Sequence, residues 1–309
     1  MKKLSFTILG ILMFAAFSFG QTANDYLESG NRFYSNKQYA EAINNYSQAL
    51  KLEQNWTEIW YNRGQAYYFT KEYGLAISDY TRALLIKPDN KNALFQRGLA
   101  YNKSGNNAAA IADYTKGITF EPYDAKIWYN RGIAYSDKGD LDLSLKDYDQ
   151  AIKLDPNYLK AFVNRGSVYF KKKQYDPALA DANRVLQLDQ TYVEGWGNRG
   201  VIYRMQGKID LALADLNKAL ALDPNYTKGY LDRAVAYNQN KRNDLAIADL
   251  NKALKLDPNY LSVYIFRGAV YFDTKQYDLS KADMNAALKL DPNNAFAKKI
   301  LDRIAALPK

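Results

Sequence analysis

The sequence predicts an all-α fold of eight tandem helical hairpins followed by a capping helix. Three features point to it: an Arg-Gly or Arg-Ala pair that returns every 34 residues, two helix-spaced stripes of small and aromatic residues within each interval, and a proline that closes six of the intervals. The pairs are Arg63-Gly64, Arg97-Gly98, Arg131-Gly132, Arg165-Gly166, Arg199-Gly200, Arg233-Ala234 and Arg267-Gly268. Ser29-Gly30 carries the phase back one copy, so the repeats run 23–56, 57–90, 91–124, 125–158, 159–192, 193–226, 227–260 and 261–294, with 295–309 left for the cap.

Ahead of the repeats, Lys2 and Lys3 precede an apolar stretch from Leu4 to Phe17, and small residues follow at Ser18 and Gly20. This order reads as a secretory signal, residues 1–20, cleaved to leave Gln21 first. The apolar stretch falls short of the roughly 20 residues that cross a bilayer, which argues against an uncleaved anchor. An exported chain, periplasmic or extracellular and without a transmembrane segment after cleavage, is therefore expected. The formal charge of +9 falls to +7 once Lys2 and Lys3 are removed. Basic and acidic residues alternate through the repeats, so nucleic acid is not the expected partner. The one basic run, Lys171-Lys172-Lys173, falls at the joint between two helices and reads as a solvated turn.

Within the second copy, Trp60, Gly64 and Tyr67 fall at positions 4, 8 and 11 of the unit, one stripe of a first helix. Gly105, Gly139 and Gly207 hold position 15, where a left-handed residue ends that helix, and Lys71, Lys173, Lys241 and Lys275 stand there in other copies. Ala76, Tyr80 and Ala83, at positions 20, 24 and 27, make the stripe of a second helix. Pro88, Pro122, Pro156, Pro224, Pro258 and Pro292 then stop it. Position 8 is Gly or Ala and position 20 is Ala or Ser in every copy, so the two backbones approach closely there. Position 11 is aromatic throughout, from Phe33 to Tyr271, and its rings are expected to fill the space between hairpins, with a stacking platform for bases as the sharper alternative. After Pro292, Phe296, Ile300 and Ile304 keep one apolar stripe while Lys298, Lys299, Asp302 and Arg303 face elsewhere, as a solvating end cap requires.

The run Trp-Tyr-Asn-Arg-Gly-x-Ala-Tyr, then Ala-Ile-x-Asp-Tyr-x-x-Ala-Leu, then Pro, resembles the tetratricopeptide repeat family over nearly the whole chain after the signal. The resemblance implies a right-handed α-solenoid superhelix of helix-turn-helix repeats, with first helices lining a concave groove and second helices outside. Eight repeats imply about one superhelical turn. The chain departs from the commoner family pattern at position 7, where a leucine is usual and arginine stands in seven copies. Those seven copies also carry Asp at position 23, as Asp79, Asp113, Asp147, Asp181, Asp215, Asp249 and Asp283, whereas the first copy has Ser29 and Asn45 and lacks both. In a hairpin that turns at position 15, positions 7 and 23 sit opposite, so an Arg-to-Asp pair within each repeat is expected. The alternative is a row of arginines facing a ligand.

Catalytic chemistry has little to work with. The chain holds no His and no Cys, which removes Ser-His-Asp and Cys-His arrangements, histidine or thiolate metal sites and disulfides. Aspartates recur at positions 23 and 31, each with a structural reading, and no Gly-rich phosphate loop occurs. No catalytic residue, metal or cofactor is expected.

Carrying over the family's groove-facing positions 2, 5 and 6 gives a candidate peptide-binding set. It consists of Tyr61, Phe95 and Tyr129 at position 5, Lys126 and Lys160 at position 2, and Asn62, Gln96, Asn130, Asn164 and Asn198 at position 6. Successive amides along a groove offer donors and acceptors to the backbone of an extended peptide; the plainer reading is that they solvate the helix or bond locally. The aromatics are either an anchor or ordinary packing between repeats. The Lys and Arg positions of the chaperone-binding carboxylate clamp are absent. What results is a non-enzymatic, exported scaffold for an extended or helical segment of a cell-envelope protein. The alternatives are a binder of anionic envelope polymer or membrane headgroups through net positive charge, and a self-assembling structural protein.

Overall fold

The computed structural model describes residues 21–307; the proposed leader, 1–20, and the last two residues lie outside them. The described residues form seventeen α-helices and no strand, an all-α helical repeat fold. The chain divides into two compact units, one ending at Pro122 and the other starting at Tyr123.

The first unit contains α1 (Ala23–Ser35), α2 (Tyr39–Leu52), α3 (Thr57–Phe69), α4 (Tyr73–Ile86), α5 (Lys91–Lys103) and α6 (Asn107–Phe120). The second contains α7 (Ala125–Lys138), α8 (Leu141–Leu154), α9 (Leu159–Lys171), α10 (Tyr175–Leu188), α11 (Val193–Met205) and α12 (Ile209–Leu222). It continues with α13 (Thr227–Gln239), α14 (Asn243–Leu256), α15 (Leu261–Asp273), α16 (Tyr277–Leu290) and α17 (Ala295–Ala305). Each odd-numbered helix up to α15 pairs with the helix after it as a hairpin.

One turn chemistry makes every hairpin. Position 15 takes a positive φ whether it is Gly139 (φ 92°) or Lys173 (φ 59°), and the next N–H bonds back to the position-11 carbonyl, as Gln174 N does to Tyr169 O at 2.9 Å. Between hairpins the position-31 aspartate accepts from the N–H two residues on, as Asp223 does from Asn225 at 2.8 Å. That turn operates without proline too: α10 ends at Leu188 although Gln190 replaces the proline, and Asp189 accepts from Thr191 N at 2.8 Å.

Packing follows the small positions. Ala42, Ala76, Ala110, Ala178, Ala212 and Ala246, all at position 20, have no exposed surface, and Ser144 and Ser280 complete the row. The rings that vanish into the core are Tyr46, Tyr80, Tyr114 and Tyr148 at position 24. The position-11 rings are half-buried, and Tyr67, Tyr169 and Tyr237 pack against core residues drawn from two adjacent hairpins, as expected of rings that fill the space between them. In the seven repeats with arginine at position 7 they also pack over the guanidinium of their own repeat, at 5.7 to 6.0 Å from ring centre to Cζ. The physical reason is that position 11 lies one helical turn beyond the arginine at position 7, on the same face. At the far end, Ala297 and Ile300 of α17 bury against Met284 and Ala287 of α16.

In the first unit α1 touches α3 and α3 touches α5; in the second α7 touches α9, α11 touches α13 and α15 touches α17. The second helices make no comparable approach to one another. First helices therefore converge on one face of each unit, and that face carries position 6. No helix of the described residues is long and apolar enough to cross a membrane.

Candidate functional site

The arginines are structural. In all seven repeats that carry it, the position-7 guanidinium donates through Nε and Nη2 to both oxygens of the position-23 carboxylate, at 2.6 to 3.0 Å. Its remaining nitrogen reaches the preceding repeat: Arg63 donates to Ser47 (3.0 Å), Arg97 to Thr81 (3.0 Å), Arg165 to Asp149 (2.7 Å), Arg199 to Asn183 (2.9 Å) and Arg233 to Asn217 (2.7 Å). A position-4 ring stacks on it in most copies, as Trp196 does on Arg199 at 4.9 Å. Each of these five arginines thus closes its own hairpin and staples it to the previous one. The bonds they donate to Asp215 and Asp283 hold Arg199 and Arg267 above the usual guanidinium range. Burial pushes the Asp79 and Asp181 carboxyls up, against the pull of their arginines.

The sequence-derived groove residues do not form a continuous row of free amides. Asn62 donates to Asn31 Oδ1 at 3.1 Å, Asn130 to its own helix at Lys126 O (2.7 Å), and Asn164 to the Tyr129 hydroxyl (3.1 Å). Tyr61, Phe95 and Tyr129 are half-buried, each with its ring centre 5.9 Å from the position-24 tyrosine of its repeat. Tyr61 also accepts from Gln65 at 2.7 Å, and burial raises its pKa. Gln96 is half-buried on α5, and Lys126 and Lys160 are exposed on α7 and α9. In the first unit a second aromatic group gathers where Phe69, just over half exposed, stacks on Tyr39 at 5.1 Å and meets Tyr34 at 6.0 Å edge-on.

Of the candidate set, Asn198 lines a chamber of about 240 Å³. Three successive first helices and one second helix line it. Phe162, Val163, Gly166, Ser167, Phe170 and Lys171 come from α9, and Ala178, Ala182 and Val185 from α10. Gly195, Asn198, Val201 and Ile202 come from α11, and Lys228 from α13. The chamber exists because position 24 is Ala182 in the fifth repeat, where the four preceding repeats place a tyrosine. That substitution is visible in the sequence, but nothing local distinguishes it from any other small core residue. Lys171, read from the sequence as part of a solvated turn, stands at the chamber's rim, while Lys172 pairs with Asp142.

Beside the chamber lies a polar group. Asp232 Oδ2 is 3.3 Å from Lys228 Nζ but receives no well-directed hydrogen bond, and Arg204 Nε and the Tyr226 hydroxyl are likewise buried without a partner. Burial pushes the Asp232 carboxyl up, opposed by Lys228 and Arg204, and pushes the Tyr226 hydroxyl up too. Gly197 makes room for Tyr226: a Cβ there would stand 2.9 Å from the hydroxyl. Among the described residues no cluster of three acidic side chains is disposed to hold a metal.

Residues 57–90, 125–158, 159–192, 193–226 and 227–260 each match the tetratricopeptide repeat model, a related tetratricopeptide model matches 261–294, and a further TPR repeat model matches 30–69 and 98–139. The chain belongs to the tetratricopeptide repeat family. No curated protein matches it in sequence. Among solved structures it is similar to a tetratricopeptide repeat protein from Parabacteroides merdae ATCC 43184, at 20% identity over 82% of this chain and 99% of that one, with a TM-score of 0.69. It is similar to a chain of the APC/C Cut9–Hcn1 hetero-tetramer, at 17% identity over 91% of this chain and 55% of that one, TM-score 0.63. It also resembles pilF from Pseudomonas aeruginosa, at 18% identity over 69% of this chain and 97% of that one, TM-score 0.58. At these identities the likeness is one of fold.

Proposed function

We propose that the chain is an exported, non-enzymatic scaffold that holds a segment of a cell-envelope protein on the first-helix face of its fifth to seventh repeats. The repeat fold itself is suited to binding proteins and peptides. The observation that carries the reading is the apolar chamber between the first helices, with the Ser167 hydroxyl and the Asn198 amide in its lining. A peptide offers a side chain to the chamber and backbone groups to the Asn198 amide. The guanidiniums of the repeats are engaged with carboxylates and neighbours, so they add little to a free positive surface, and this favours a peptide over an anionic polymer. Export rests on the Lys2-Lys3, Leu4–Phe17 and Ser18-x-Gly20 order at the N-terminus.

The test is affinity capture from an envelope extract with the parent chain and two variants. One carries Ala at Asn62, Asn130 and Asn164; the other carries Asn198→Ala with Val201→Lys. A protein retained by the parent and the first variant but lost by a still-folded second variant supports the reading. Loss with the first variant alone moves the site to the earlier repeats, and equal recovery from all three refutes groove binding. The N-terminal mass of the protein recovered from cells tests export: a chain that begins at Gln21 supports it, and an intact Met1 refutes it.

A further inference from the structure

The first four repeats show what the fifth lacks. In each, the position-24 tyrosine ring lies on the position-8 glycine; a Cβ on Gly30, Gly64, Gly98 or Gly132 would stand 2.5 to 2.8 Å from it. Later repeats fill the same place with Leu216 over Gly200 and Met284 over Gly268. Gly166 of the fifth repeat is also glycine, yet its nearest neighbours would be Asp181 Cβ at 3.2 Å and Ala178 O at 3.6 Å, with no position-24 atom among them. The floor for a ring is kept, and the ring is missing.

The polar end of the slot is kept as well. In the first repeat the Tyr46 hydroxyl donates to Asn31 Oδ1 at 2.7 Å, and that oxygen also accepts from Asn62 Nδ2 at 3.1 Å. Asn31 is position 9 of the same repeat and Asn62 is position 6 of the next. The equivalents around the empty slot are Ser167 and Asn198, and both line the chamber. Ser167 donates its own hydroxyl proton to Val163 O at 2.9 Å, which leaves its oxygen free to accept. Where position 9 is Leu99, or Gln65 engaged with Tyr61, the Tyr114 and Tyr80 hydroxyls are buried without a partner; the fifth repeat, with Ser167 and Asn198 in the places of Asn31 and Asn62, resembles the first.

We propose that the chamber is a receptor slot for a tyrosine side chain of the partner, which supplies from outside the ring that repeats one to four supply from within. The proposal rests on the groove-binding reading above and names the chemistry of its anchor. A volume of about 240 Å³ suffices, since an apolar cavity of roughly 150 Å³ admits benzene. Lys171 and Lys228 at the rim match acidic residues beside the tyrosine, the latter sharing its charge with Asp232. The chain itself exposes one tyrosine of that kind, Tyr123, between Glu121 and Asp124.

The test is titration of the purified chain with p-cresol and with toluene, followed by NMR through the methyl groups of Val163, Val201 and Ile202. Saturable shifts are expected for both, with p-cresol about tenfold tighter because its hydroxyl meets Ser167 and Asn198. Ala182→Tyr, which fills the slot, abolishes saturable binding; Ser167→Ala with Asn198→Ala brings p-cresol down to the toluene level and leaves toluene unchanged. Absence of saturation, equal affinity for the two probes, or p-cresol binding that survives in a folded Ala182→Tyr chain overturns the proposal. A captured envelope protein that Ala182→Tyr still retains overturns the slot while leaving groove binding standing. Self-association of the parent chain that Tyr123→Ala abolishes makes the occupant a second copy and overturns the outside-partner assignment.

Discussion

Replacing one member of an arginine–aspartate pair costs far more than replacing both, and the Arg199–Asp215 pair is the place to measure it. Arg199 donates twice to Asp215, at 2.7 and 2.9 Å, and once to Asn183 at 2.9 Å, with the Trp196 ring centre 4.9 Å from its Cζ. The side chains are 19% and 8% exposed, so neither charge finds adequate water once its partner is gone. Asp215→Leu leaves the guanidinium with two donors aimed at a methyl group, and Arg199→Leu leaves the carboxylate unpaired; each is expected to cost about 3 to 5 kcal/mol. The double variant removes both charges. It still loses the bond to Asn183 and the stacking on Trp196, together about 1 to 2 kcal/mol. The cycle therefore predicts a coupling of about 4 kcal/mol or more, with the double variant more stable than either single one. Urea unfolding followed by circular dichroism and by Trp fluorescence provides the measurement, read where all four proteins share one transition and one slope. A double variant whose cost equals the sum of the two single costs refutes the account of the pair as mutual relief of burial.

Three further outcomes follow from the same structure. Gly132→Ala brings a Cβ to 2.8 Å from the Tyr148 ring and is expected to destabilise by about 1 to 3 kcal/mol, whereas Gly166→Ala, facing the empty slot, costs less in the same denaturation assay. Lys241 holds the hairpin turn at φ 56°, where a side chain is strained, so Lys241→Gly is expected to gain about 1 kcal/mol while Gly207→Ala, at φ 77°, loses about as much. Burial raises the Asp232 pKa above its unfolded value of 3.8, so its contribution to stability is fully present below 3.8 and is lost as pH rises through the folded value. Asp232→Asn therefore raises the melting temperature at pH 7, and the gain shrinks as pH falls toward 3.8.

The sequence by itself determined the repeat, the hairpin and the pair inside it. Those features depend on residues at fixed short spacings: the turn at position 15 needs only a residue that tolerates a positive φ, and positions 7 and 23 face each other in any hairpin that turns there, as Arg63 and Asp79 do. The tertiary structure decided what lies between repeats. Arg63 also reaches back to Ser47, Asn62 turns to Asn31, and Asn164 turns to Tyr129, contacts that depend on how one hairpin settles against the previous one. The same holds for the chamber. Ala182 at position 24 reads in the sequence as one more small core residue, and it opens a slot only because Gly166, Ser167 and Asn198 come from two first helices that pack beside it. Short-range backbone geometry is written in periodic residues, whereas a cavity is set by the summed volumes of side chains distant in sequence, which no local pattern records.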